Sequence, residues 1–182
     1  MRKHKLKHLD VLDLDYRILT IADEIKKTVY TSKPVMKHQK DYVYVHALMD
    51  SKGIDEVPLK VKCDCGNDIK FNLQRNQIMI EEMDKNVFGN DIKIQIRPRN
   101  DNEEIFELID YVFIDGDRIA WIDCKQSEKE AVLNSIDYEV FKSISIELNK
   151  PRIVANIPIV CSCGKDKIIT LSGIQEFLEV LE

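Results

Sequence analysis

Two stretches decide the fold of this chain. One is Lys62-Cys63-Asp64-Cys65-Gly66-Asn67-Asp68-Ile69-Lys70-Phe71, and the other is Val160-Cys161-Ser162-Cys163-Gly164-Lys165-Asp166-Lys167-Ile168-Ile169. Each sets two cysteines one residue apart, follows them with glycine, and lies between two apolar runs. That pattern predicts a tight β-hairpin with its thiols at the tip. The glycine lets the backbone turn with φ > 0, so both sulfurs can point one way. Four thiolates on two tips, Cys63, Cys65, Cys161 and Cys163, form the ligand set of a closed tetrahedral Zn2+ site. Two other readings of the same residues stay open. Four half-buried cysteines at strand ends need no metal, because free cysteine is among the most buried residue types. The second is a disulfide between the tips. It is disfavoured because the basic start of the chain leads into no apolar signal region, and such cysteines in a reducing compartment more often bind metal.

Outward from the cysteines, residues 57–73 and 152–171 read as the two hairpins. Gln77 to Ile80 and Ile92 to Ile96 read as further strands, the latter alternating Ile92, Ile94 and Ile96 with Lys93, Gln95 and Arg97. Pro98 ends that strand or sets it at an edge. Helical spacing starts near Tyr16, with Ile18, Ile21, Ala22, Ile25 and Val29, and stops before Pro34. Asp41 to Met49 fits both periods; it is read as a helix closed by Gly53, with His46 on its surface or at an interface. Asp101 or Asn102 is expected to cap a helix that buries Ile105, Leu108, Ile109 and Val112. Asp115-Gly116-Asp117 is a turn, since it lacks the spaced carboxylates of a calcium loop. Ser127 with Glu130 reads as a capping box, and Asp137 as the cap of a helix burying Val140, Phe141, Ile144 and Leu148. Ser172 starts a last amphipathic helix carrying Ile174, Phe177, Leu178 and Leu181. The expected fold class is α+β: a small antiparallel sheet with two cysteine-tipped, zinc-ribbon-like hairpins, plus several packed helices. The expected organisation is a basic arm over residues 1–15 and a single α+β domain over 16–182, its hairpins joined at the zinc site.

With 182 residues, 44% hydrophobic content and a net charge of −5, the chain has the composition of a globular domain. The acidic balance argues against nucleic acid as the main partner. The longest apolar stretch, Ile153 to Cys161, is broken by Asn156 and Pro158 and too short to span a bilayer. Arg2, Lys3, Lys5 and Lys7 make a solvated or partner-bound arm, and Cys124, apart from the other cysteines, is assigned to the core. No catalytic residue is assigned. All four histidines (His4, His8, His38 and His46) fall in the first quarter, and no phosphate loop or H-E-x-x-H motif is present.

The order of these features resembles the baseplate hub proteins of T4-like contractile-tailed bacteriophages. The helix near Asp41 to Met49 is followed by Ser51-Lys52-Gly53 and a cysteine hairpin. Later come Asp115-Gly116-Asp117, the helices through Ser127 and Phe141, Asn149-Lys150-Pro151, the second hairpin and Leu171-Ser172-Gly173-Ile174-Gln175-Glu176-Phe177-Leu178. The matching segments are Tyr42 to Phe71, Phe106 to Asp123, Ser127 to Pro151 and Ile159 to Leu178. Members of that family often begin with a longer region containing a β-hairpin, which is not apparent here. The resemblance implies a structural or assembly component of a tail baseplate, not an enzyme, located in the virion after assembly in the host cytoplasm. Its partners would be other baseplate and tail proteins, with self-association left open. Two alternatives remain: a zinc-ribbon adaptor that binds nucleic acid, and a zinc-dependent hydrolase.

Overall fold

The computed structural model describes residues 6–99 and 103–181. Arg2, Lys3, His4, Lys5 and the caps expected at Asp101 or Asn102 lie outside these residues. In chain order the elements are β1 (Leu6–Leu9), β2 (Leu14–Arg17), α1 (Ile21–Lys26), α2 (Lys37–Lys52), β3 (Glu56–Lys62), β4 (Asp68–Gln74) and β5 (Ile78–Glu81). Next come β6 (Val87–Gly89), β7 (Lys93–Ile96), β8 (Ile109–Ile114), β9 (Asp117–Ala120), α3 (Gln126–Ser135) and α4 (Tyr138–Leu148). The chain then continues through β10 (Arg152–Val160), β11 (Asp166–Ser172) and α5 (Gly173–Leu181). The fold is α+β. Among the described residues its strands form four small antiparallel sheets instead of the single sheet expected: β1-β2, β3-β4, β11-β10-β5 and β6-β7-β8-β9. Residues cluster into two compact units, one up to Glu81 together with Arg152 onward, the other from Glu82 to Pro151.

The first unit is built on α2. Val43, Val45, Ala47 and Met49 are fully buried, and Tyr42, Tyr44 and Leu48 on the remaining sides are nearly so. They pack into one core with Ile153, Ala155, Ile157 and Ile159 of β10 and Phe177, Leu178 and Leu181 of α5. A helix apolar all round has no amphipathic stripe, which is why its sequence fits two periods. Gly53 closes it as expected, in the left-handed region at φ 66°, while the Ile54 N–H donates to the Met49 carbonyl at 3.0 Å. His46 is not a surface residue. It is only 6% exposed, its ring is 4.4 Å from that of Tyr42, and its Nε2 has no hydrogen-bond partner.

Asp50, 4% exposed at its side chain, anchors three elements to the end of α2. It accepts from Lys7 Nζ at 2.5 Å, Tyr16 Oη at 2.5 Å and Arg75 at 2.8 Å. Burial pushes its carboxyl up, but these donors overcome that and hold it below the usual carboxylate range. The same contacts fix the start of the described chain. From Leu6 it is a β-hairpin with Leu9, Leu14 and Tyr16 buried, where the sequence reading has the end of an arm and then a helix. Leu6–Leu9 and Leu14–Arg17 thus form a hairpin that the sequence reading does not contain. The helix expected from Tyr16 shrinks to α1, capped by Thr20 and Asp23, and its Ile21 and Ile25 are 79% and 77% exposed.

The second unit closes its sheet over α3 and α4 through Phe88, Ile94, Ile96, Ile109, Val112, Val132 and Ile144. β7 lies inside that sheet, so Pro98 ends the strand and does not mark an edge. The helix expected over Ile105 to Val112 is a single tight turn, Ile105–Leu108, running into β8. Ile96 pairs with Ile109 but Gln95 with Tyr111, so Asp110 is a bulge. The bulge puts Ile109 and Val112 on one side, three residues apart, and mimics helical spacing within a strand. Asp115-Gly116 is the two-residue turn of a hairpin, with φ 52° and 92°, as type I′ requires. Asp137 caps α4, accepting the Val140 N–H at 2.8 Å. Helix α3 starts at Gln126, before the expected capping box, with the Lys125 N–H donating to Glu128 at 2.7 Å. Phe141 is 40% exposed and not in the core.

Candidate metal centre

The two cysteine tips have the same backbone. In the first, the Cys63 N–H donates to the Asn67 carbonyl at 2.9 Å, and the Gly66 N–H to the Cys63 carbonyl at 2.8 Å. In the second, the Cys161 N–H donates to the Lys165 carbonyl at 2.9 Å and the Gly164 N–H to the Cys161 carbonyl at 2.8 Å. This is a three-residue hairpin loop, a turn followed by a left-handed residue. Gly66 and Gly164 fill that position with φ 89° and 83°, values at which an L side chain is strained. The outcome is that each tip turns one cysteine inward and leaves the next at the surface. Cys63 and Cys161 are buried, whereas Cys65 and Cys163 are exposed.

Strands β3-β4 and β10-β11 bring the tips together. Cys63 Sγ lies 3.9 Å from Cys163 Sγ and Cys65 Sγ 3.6 Å from Cys161 Sγ, and all four sulfurs fall within 4.8 Å of one another. Sulfurs placed tetrahedrally around Zn2+ at about 2.3 Å stand about 3.8 Å apart. The donor set and spacing thus fit a tetrahedral thiolate site. A side-chain bond from Asn67 Nδ2 to Ser162 Oγ at 3.1 Å ties one tip to the other. Neither residue carries a sequence signal beyond its place beside the cysteines.

Two of the thiols, Cys161 and Cys65, are shifted in opposite directions. The Cys163 N–H, donated to the Cys161 sulfur, brings that thiol down to about 6 despite burial. Cys65 receives the Asn67 N–H, which lowers it, but the thiols of Cys63 and Cys163 push it up to about 12. A negative charge on one sulfur makes a charge on its neighbour costlier. Cys124 stands apart, in the 82–151 unit, half-buried with its Sγ 3.6 Å from the Ala120 carbonyl. Among the described residues no histidine or carboxylate joins the sulfur cluster.

A family model described as T4 bacteriophage base plate protein matches residues 6–179. The chain belongs to this family. No curated protein and no solved structure matches it. Membership makes it a T4-type base plate protein, which implies a place in the virion tail and contact with other tail proteins. No helix among its described residues is long and apolar enough to cross a membrane.

Proposed function

We propose that this base plate protein is a structural and assembly component of the baseplate hub, packing against other tail proteins, with one Zn2+ held by Cys63, Cys65, Cys161 and Cys163. The observation that carries the reading is the convergence of four thiols from hairpins almost a hundred positions apart in sequence, with spacings of 3.6 and 3.9 Å between facing sulfurs. The ion would clamp the two hairpins of the first unit, and α5, which follows β11, would be held with them. Four thiolates fill a tetrahedral shell and leave no position for water or substrate, so the role is structural and not hydrolytic. The nucleic-acid reading has less support: Lys60 on the first hairpin is paired with Asp68 at 2.7 Å, and the chain carries a net charge of −5.

The test has two arms. Metal content is measured by mass spectrometry on untagged protein purified without chelator, for the wild type and each cysteine-to-serine variant. Phage lacking the gene is complemented with the same variants, and tails are imaged by electron microscopy. One equivalent of zinc in the wild type, lost in the four tip variants, supports the metal assignment. Tails arrested at the hub support the assembly role. Metal-free wild type refutes the first, and normal tails without the protein refute the second.

A further inference from the structure

We propose that the free edge of β9 and the groove beside it accept an extended segment of a partner tail protein, carrying carboxylate and apolar side chains, as a fifth strand of the β6-β7-β8-β9 sheet. Strand β9 ends that sheet. Its two-residue turn fixes which backbone groups face outward. The pair closing such a turn, Ile114 and Asp117, exchanges both hydrogen bonds, and pairs alternate from there. Val112 and Ile119 are therefore bonded to each other, while the N–H and C=O of Arg118 and the N–H of Ala120 point away from β8. Among the described residues, the Ala120 carbonyl is met only by the weak thiol donor of Cys124 at 3.6 Å. An edge presenting donors and an acceptor in strand register is completed by another strand.

The side chains next to this edge indicate what the strand should contain. A groove of about 820 Å³ opens beside Ala120, with Phe106, Tyr111, Trp121 and Ile122 as its apolar wall and Glu107 and the Arg97-paired Asp110 also on its lining. Ile122 is 86% exposed and Phe106 48%. Two cations lie on its aromatic rings: the Arg118 guanidinium 3.5 Å from the Tyr111 centroid, and Lys129 Nζ 5.3 Å from that of Trp121. Neither has a carboxylate partner among the described residues. Tyr111 and Ala120 are directly paired and Arg118 is one pleat away on the same face. An incoming strand thus meets apolar wall and positive charge on one face, two residues apart. A carboxylate there pairs with Arg118 and an aliphatic or aromatic side chain fills the groove. A second copy is the poorer occupant. Two-fold pairing along β9 would put two Arg118 side chains on one face, and like charges across strands are destabilising.

Trp121 is the only tryptophan of the chain, so its emission reports on the groove directly. The probe is a capped eight-residue peptide with leucine and glutamate alternating on one face and threonine on the other, titrated into the full-length protein. The expected result is a saturable blue shift. The same peptide N-methylated on its bonding edge binds about tenfold more weakly or worse, as the loss of one or two net hydrogen bonds requires. Arg118→Pro, which removes an outward N–H and leaves the β8 ladder intact, abolishes the shift. Arg118→Leu keeps the edge and loses only the salt-sensitive part, which preserves the test should the proline variant fail to fold. The proposal is overturned if the peptide gives no shift, or if the N-methylated peptide binds equally well. It is also overturned if sedimentation shows a dimer that Arg118→Pro dissolves, since the edge then serves a second copy.

Discussion

Removing the imidazole of His46 should flatten the acid limb of this protein's stability curve. His46 lies within the buried helix α2, and burial, helped by the Arg75 charge and opposed by Asp50, lowers it to about 4 from an ordinary 6.5. Above pH 6.5 the ring is neutral whether the chain is folded or not, and it contributes no pH dependence. Between 6.5 and about 4 the unfolded chain binds a proton that the folded chain refuses, so stability falls as pH falls. Below about 4 both states are protonated and the loss is complete. The difference in pKa corresponds to roughly 3 kcal/mol, or about a 300-fold change in the unfolding constant. Leucine is close to histidine in size and leaves no buried nitrogen in place of the unpartnered Nε2. Urea unfolding at intervals from pH 7.5 to 4.5 should therefore show a declining free energy for the wild type and a much flatter one for His46→Leu. The fluorescence of Trp121 belongs to the other unit, so the transition should be followed by tyrosine emission and circular dichroism. Equal slopes for the two proteins between pH 6.5 and 4.5 would refute the argument.

Three further outcomes are expected. Each of Cys63→Ser, Cys65→Ser, Cys161→Ser and Cys163→Ser should lower bound zinc to a similar extent, because three thiolates hold the ion poorly whichever is missing. Cys124→Ser should keep a full equivalent, as measured by mass spectrometry. Phe177→Ala in α5 should cost about 3–5 kcal/mol in urea unfolding, since that ring is fully buried; an unchanged midpoint would mean that α5 does not close the core. Asp50→Ala should cost roughly 1.5–3 kcal/mol through its charged hydrogen bonds. Because the folded carboxyl lies below its ordinary range, this contribution is present above pH 4 and lost as pH falls through the folded value, a window lower than that of His46. A wild type and Asp50→Ala that stay equally far apart down to pH 2 would contradict it.

The cysteine hairpins were the most legible part of the sequence, because C-x-C-G fixes a turn type and the apolar alternation on either side fixes the face. That the two tips meet is inferred from the repeated ligand set and not from the pattern of either hairpin, because it depends on how two hairpins of separate sheets pack. Helix α2 was legible in its C-cap and obscure in its body, for burial on every side erases the stripe that marks a helix. The stretch Ile105 to Val112 misled for the opposite reason: one bulged residue, Asp110, gave a strand the spacing of a helix. Helix α1 shows a third limit. Ile21 and Ile25 recur as a buried face would, yet both are exposed, and periodicity alone does not tell core from open surface.

Glu81 and Arg152 face each other across β5 and β10, joined by an ion pair at 2.9 Å although 71 positions separate them. The chain thus leaves the host unit and re-enters it through a single cross-strand rung, which makes residues 82–151 a guest spliced into what would otherwise be a hairpin turn. On the ribosome, β5 emerges well before the strand that pairs with it. The sheet β11-β10-β5 and the fourfold sulfur cluster can close only after the guest has been synthesised. An Asn-Gly turn in place of residues 82–151 would rejoin β5 directly to β10 and remove that delay.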